Sequence, residues 1–424
     1  MRRPGWMTPL LVASAVGAVL ASAGVAVWRS AAPPAPAAVG LPAQAGTVKT
    51  FTDLLDEAQV QAMTRAQLAM IARENAVVVL NSWDFRLIPV LKRANPSVQV
   101  WVYKDLSGVR SDDCTTRTGN CGACRPGVAD SGLLSSGIGY CWLRRNHPDW
   151  LLRALGSGQP FQFRGYPRTW ETDYGNRAYQ RQWAANVIAD VHSHGWDGVE
   201  LDNALTIADA YGIAARYRSD AAVQAATYSA LQEVGHALSQ AGVASVANVG
   251  YATGFRGLWQ RWLGPVGGLE QEFYLSFTTQ PNAEGGQWGE FESEVSSCAA
   301  QHKRCWFHSG EDTAAVTTQT RGYALASLLL ATDGRQLLSV GSLTTLPAAL
   351  RVALGFPLST MDQAGRAWRR SFAGGVAVVN PTRSSTVADL GGSYLGNGGH
   401  PVSAVFLEPV SGAVLRISAG RQRR

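Results

Sequence analysis

The chain has 424 residues, 46% hydrophobic, 16% charged and 9% aromatic, with 14 tryptophans; this composition excludes an intrinsically disordered protein and supplies a large core. The formal charge of +6 is concentrated at the ends, with Arg2, Arg3 and Arg29 before the body and Arg416, Arg421, Arg423 and Arg424 at its close. The remainder carries 30 basic against 31 acidic residues, which excludes the basic footprint of a nucleic-acid binder.

Arg2 and Arg3 lead into the uncharged stretch Pro4–Trp28. A basic start before an apolar run reads as a signal peptide or signal anchor over residues 1–29. In both cases the body lies outside the cytoplasm, secreted or anchored, and touches the membrane only through that segment. Residues 30–46 form an Ala/Pro linker. Six cysteines fit an oxidising compartment and read as disulfides. Cys298 and Cys305 form one close pair; the connectivity of Cys114, Cys121, Cys124 and Cys141 stays open.

Over residues 47–356, short apolar runs alternate with helical stretches, the pattern of a parallel sheet with crossover helices. The runs are AVVVLN (76–81), VQVWVY (98–103), RTWETD (168–173), WDGVELD (196–202), SVANVG (245–250), GGLEQEF (267–273), RCWFHS (304–309) and RQLLSV (335–340). Helical periodicity is clear in residues 177–195 and 221–242. The expected fold is α/β, a (β/α)8 TIM barrel. Period-two alternation over 357–418 predicts a small C-terminal antiparallel β-domain, followed by a basic tail at 419–424.

Catalytic groups of such a barrel sit at the C-terminal strand ends. Taken in order, those ends carry Asn81 and Asp84, Asp105, Asp173, Asp202 and Asn203, Asn248, Glu270 and Glu272, then His308 and Glu311. Burying so many carboxylates is costly unless they are paired or used, so the ring marks a polar cleft. Glu200 and Asp202 alternate onto one side of their strand, with Asp202 nearer the mouth. Glu270 and Glu272 repeat the arrangement on a later strand. Asp197, at the opposite end of its strand, is expected to bind backbone N–H groups.

Two opposed carboxylates are what glycoside hydrolysis requires, one to protonate the leaving oxygen and one to attack or activate water. Asp202 and Glu272 are the candidate pair, with Glu270 and Glu200 as rivals or helpers. Candidate substrate-binding residues are Trp83, Asp84, Asp105, Asp173, Asn203, Asn248, Tyr274, His308 and Glu311, and Trp101 and Trp170 also sit where rings can stack on a sugar. The long loop 107–149 reads as a wall or lid. His192 and His194 end a helix at the wrong face of the barrel for a metal site, and no GxSxG or phosphate-binding loop is present. No metal and no cofactor are expected.

The segments LNSWD, VWVYKDLS, NHPDWLLR, GWDGVELDN, ANVGY, LEQEF and WRRSFAGGVAVVNPT together resemble the glycoside hydrolase-like family 15, a group of bacterial barrels distantly similar to endo-α-1,4-polygalactosaminidases. The resemblance extends over roughly residues 50–415. It implies a TIM barrel with a C-terminal β-domain, with Asp202 as the strand-four nucleophile and Glu272 as the general acid/base. The expected activity is hydrolysis of an extracellular or cell-envelope polysaccharide by a monomer, with poly- or oligosaccharide as its partner. The alternative is a catalytically silent barrel that binds glycan.

Overall fold

A computed structural model describes residues 46–113, 133–276, 283–310, 316–341, 352–396 and 398–417. The strands in chain order are β1 Lys49–Leu54, β2 Val77–Leu80, β3 Gln99–Asp105, β4 Gly108–Arg110, β5 Thr169–Glu171, β6 Gly198–Asp202, β7 Ala244–Asn248, β8 Gly268–Gln271, β9 Trp306–Ser309 and β10 Leu337–Val340. Eight of them close a parallel barrel in the order β1-β10-β9-β8-β7-β6-β3-β2. β2, β8, β9 and β10 are buried at every position, as expected of strands covered on one face by barrel interior and on the other by helices. The TIM barrel expected from the alternation is present.

Its strands are not quite the expected set. RTWETD does not enter the barrel: its core is β5, paired antiparallel with β4 in a two-stranded ribbon, Val109 opposite Trp170. The place is filled by β1, KTFTDL, which joins β2 on one side and β10 on the other and so closes the ring. Period-two alternation is common to barrel strands and ribbons, and only pairing distinguishes them. Because one strand was gained and another lost upstream, GVELD keeps its place as barrel strand four.

Side chains alternate in and out of the barrel. On β3, Trp101, Tyr103 and Asp105 lie in register with Gly198, Glu200 and Asp202 of β6. Gly198 is required by this packing: a Cβ there would lie 2.6 Å from Cε2 of Trp101. Phe51 stacks on Trp306 at 4.9 Å and Trp101 tilts onto it at 5.0 Å. With Val77, Val79, Val246 and Leu337 these rings form an apolar floor, and the acidic residues stand above it. Lys104, alternating outward, is buried with Nζ 2.5 Å from Asp190 and from Ser82. Asp197 accepts from the Val100 N–H at 2.8 Å and from Lys92 at 2.6 Å, tying the start of β6 to β3.

The C-terminal strands β11 Asp362–Ala364, β12 Ala367–Phe372, β13 Gly375–Asn380, β14 Thr386–Leu395, β15 Pro401–Leu407 and β16 Ser411–Ile417 form a six-stranded antiparallel sheet. It packs on the helix Thr318–Ala331 at a close approach where a Cβ on Gly322 would come 2.8 Å from the Gly412 carbonyl. Buried Arg370 donates to the carbonyls of Leu329 and Thr332, a cation satisfying the C-terminus of that helix. Cys298 and Cys305 are disulfide-bonded, S–S 2.04 Å, joining the helix Gly285–Ala300 to the approach of β9. Cys141, on the helix Tyr140–Asn146, is disulfide-bonded as well; Cys114, Cys121 and Cys124 lie outside the described residues, as do the N-terminal segment, the linker and the basic tail. Among the described residues no helix is long and apolar enough to cross a membrane.

Candidate active site

Asp202 ends β6 at the mouth of the barrel, half-buried, with four donors on its carboxylate. The Asn203 N–H and Asn248 Nδ2 reach Oδ1 at 2.7 and 3.0 Å. The Tyr103 hydroxyl and Asn203 Nδ2 reach Oδ2 at 2.5 and 3.0 Å. Asn203 bends back to do this with φ of 57°, a left-handed conformation that Asn tolerates better than most residues. Its Oδ1 accepts from Tyr211 at 2.7 Å, and its Nδ2 also donates to Asp105 at 3.0 Å.

Glu272 follows directly on β8, and its Oε2 accepts from the same Asn248 Nδ2 at 3.1 Å. One amide nitrogen therefore spans the two carboxylates. Contacts of these lengths keep the two oxygens within about 6 Å of each other. Asn248, at the end of β7 between β6 and β8, is placed by the barrel order for this role.

Below the pair stand Asp53 of β1, Glu200 of β6 and Glu270 of β8, the two glutamates 4% and 2% exposed. Burial pushes Glu200 and Glu270 well above the usual carboxylate range, and the charges of their acidic neighbours add to it. Asp53 is pushed up to about 7 by burial and by Glu272 and Asp202. Asp105 rises to about 8, through burial and then Asp202, against hydrogen bonds from Gly108, Ser107 and Asn203 that hold it down. Asp202 rises only to about 6: burial and the Glu272 charge raise it, while the Tyr103, Asn203 and Asn248 donors oppose them. Burial and these same carboxylates push Tyr103 well up, so its hydroxyl stays a donor. Carboxylates with separated titration ranges in one site supply an acid and a base together.

Aromatic rings flank the mouth. Phe163 stacks on Tyr211 at 4.1 Å and exposed Tyr166 meets it edge-on at 5.5 Å. Beside Glu272, Phe273 packs on exposed Tyr251 at 5.4 Å. The aromatic residues expected at strand ends fall elsewhere. Trp83 is buried in a 3-10 turn after β2, and Trp101 is in the floor. Tyr274 is fully buried against Phe307 with its hydroxyl on Glu292. Trp101 and Tyr274 are enclosed in packed core and present no face to a sugar. Trp170 stacks on Tyr140 at 5.5 Å on the ribbon.

Of the other expected residues, Asp105, Asn203, Asn248, Glu200 and Glu270 converge with Asp202 and Glu272. His308 lies inside the barrel on β9, its Nε2 3.4 Å from the Gly341 carbonyl. Asp173 is apart from them: it is buried and holds Tyr217 and Arg216, because its segment left the barrel. Asp84 sits in the turn after β2, and Glu311 lies outside the described residues. Sequence reasoning missed Asp53, Tyr103 and Tyr211. The first two are signalled by the alternations Phe51-Asp53 and Trp101-Tyr103-Asp105, and nothing local marks Tyr211.

A family model described as hypothetical glycosyl hydrolase family 15 matches residues 92–376. No curated protein matches the chain. Among solved structures, the fold is similar to the glycoside hydrolase domain of PelA from Pseudomonas aeruginosa, 13% identical over 70% of this chain and 97% of that one, TM-score 0.42. It is also similar to a GH27 β-L-arabinopyranosidase from Geobacillus stearothermophilus, 9% identical over 89% and 98%, TM-score 0.49. A third is Aspergillus fumigatus Ega3 in complex with galactosamine, 12% identical over 73% and 96%, TM-score 0.39.

Proposed function

The chain belongs to hypothetical glycosyl hydrolase family 15, and on that premise we propose that it is a retaining glycoside hydrolase using Asp202 as nucleophile and Glu272 as acid/base. The observation that carries this reading is the Asn248 amide bridging the two carboxylates. Retaining enzymes hold their carboxyl groups ~5–5.5 Å apart, whereas inverting ones need ~6.5–9.5 Å to admit a water. Two contacts of 3.0 and 3.1 Å to one amide nitrogen bring the facing oxygens within about 6 Å, which supports the first class.

The chemistry follows from the donors. In this proposal the Asp202 carboxylate attacks the anomeric carbon while the Glu272 carboxylic acid gives its proton to the leaving glycosidic oxygen. The C–O bond breaks and a glycosyl ester forms on Asp202. Glu272, now a carboxylate, takes a proton from water, which attacks the same carbon and frees the Asp202 carboxylate. Tyr103, Asn203 and Asn248 hold Asp202 in one orientation through both steps, so little reorganisation is needed.

The substrate in this proposal is a polysaccharide outside the cytoplasm. The disulfides support an oxidising compartment, and Tyr251 and Tyr166 offer exposed rings on which sugars stack. The test is reducing-end release by the full chain from a panel of bacterial polysaccharides, beside Asp202→Asn and Glu272→Gln. Release by the wild type that both folded variants lose is the expected result. Glycan binding without release from any member of the panel would replace the enzyme with a binding barrel.

A further inference from the structure

We propose that Asp53, Glu270 and His308 form a divalent-cation site inside the barrel, beneath the Asp202–Glu272 pair, with zinc or manganese as the ion. The three come from β1, β8 and β9, and one ligand atom from each lies within 4.8 Å of the other two. Three points so spaced share a centre no more than about 2.8 Å from each. That leaves less than about 1 Å to close to the zinc–ligand distances of ~2.0–2.2 Å, within the reach of small rotamer changes.

A second observation points to a ligand. Glu270 is 2% exposed, yet its Oε2 has no hydrogen-bond partner, and neither has Oδ1 of Asp53 nor Oε2 of adjacent Glu200. Buried carboxylate oxygens without a donor are expensive. Among the described residues no Lys or Arg forms a salt bridge with any of the three. A divalent ion held by Asp53, Glu270 and His308 would satisfy the Asp53 and Glu270 oxygens and balance their charge together. The donor set is an imidazole with two carboxylates, which suits zinc or manganese better than calcium or magnesium, whose ligands are oxygens. The Gly341 carbonyl, 3.4 Å from Nε2 of His308, is the kind of backbone acceptor that fixes the second nitrogen of a ligating imidazole.

The sequence concealed this site because Asp53 lies on β1, a strand its half-polar pattern hides, so no ligand set was legible. The site stands apart from the hydrolase reading.

The test is made on the full chain, stripped with chelator and checked by circular dichroism, then titrated calorimetrically with Zn²⁺, Mn²⁺ and Ca²⁺. One Zn²⁺ or Mn²⁺ per chain is expected, bound more tightly than Ca²⁺. Loss of an outer-shell partner already weakens metal binding ~10–100-fold, so Glu270→Gln and His308→Gln should each weaken it at least about a hundredfold. Asp202→Asn, which removes the proposed nucleophile, should bind within a fewfold of wild type, so failure of the hydrolase and failure of the metal site are read separately. Absence of binding to the folded stripped protein, or binding that survives Glu270→Gln, overturns the proposal and leaves the three groups sharing protons.

Discussion

Replacing Asn248 with alanine removes the donor that touches both carboxylates, and the consequence has a sign and a size. Asn248 Nδ2 lies 3.0 Å from Asp202 and 3.1 Å from Glu272, and its hydrogen bond is one of the forces holding Asp202 down to about 6. A hydrogen bond to a charged group is worth ~1.5–3 kcal/mol. At 1.36 kcal/mol per pH unit, the smaller figure moves the Asp202 midpoint up by about one unit. The direction is reinforced because the mutual repulsion of Asp202 and Glu272 loses its intervening dipole. Carbon-13 NMR of the side-chain carboxyls, with Asp202→Asn assigning the resonance, reads the midpoint without any substrate. The acid limb of kcat/KM should move with it, so that activity at pH 6 falls several-fold more than at pH 8. An Asp202 midpoint that is unchanged or lower in folded Asn248→Ala refutes the bridging role.

Gly268→Ala should destabilise the barrel by about 1–3 kcal/mol or more, since its Cβ would lie 2.0 Å from the Arg304 carbonyl, which is backbone and cannot rotate away; Gly289→Ala, in the helix Gly285–Ala300 with nothing within 4 Å, should instead stabilise it by up to about 1 kcal/mol, and urea unfolding separates the two. Removing the Cys298–Cys305 bridge, seven residues apart in sequence, should cost about 2–3 kcal/mol, read as the difference in unfolding free energy between the wild type and the doubly substituted Cys298→Ala, Cys305→Ala chain. Burial and then the Asp105 charge raise Glu171 from its usual range to about 8. Its folded form therefore binds a proton more tightly than its unfolded form, and stability falls as pH rises from about 4.5 to about 8, by up to ~1.4 kcal/mol per unit. Glu171→Gln should flatten that part of the stability–pH curve, and an unaltered slope would show that the carboxyl is not the source.

The barrel was legible because its buried strands are unbroken apolar runs and its helices carry a clear period. AVVVLN needs no partner to be read as a strand. KTFTDLL was obscure because a strand that places Phe51 on the floor and Asp53 above it reads as half polar, and it follows directly on the linker. RTWETD erred the other way, its alternation belonging to a ribbon whose partner, Gly108–Arg110, lies about sixty residues earlier. In the site, Asp202, Glu272 and Asn248 came from one rule, that chemistry gathers at C-terminal strand ends. The rule failed for the aromatics because a strand end fixes height along the barrel and leaves open whether a ring faces the cleft or the surrounding core. Tyr274 faces the core. Tyr211, whose hydroxyl steadies Asn203, lies in a loop with no periodicity to mark it.

The most direct test of the two-carboxylate account is proton NMR of the anomeric signal in the first product formed, on whichever polysaccharide releases reducing ends. The account predicts a nascent product with the anomeric configuration of the bond that was cut, before mutarotation mixes the forms. A nascent product of the opposite configuration would contradict it, because inversion places a water between carboxyl groups ~6.5–9.5 Å apart.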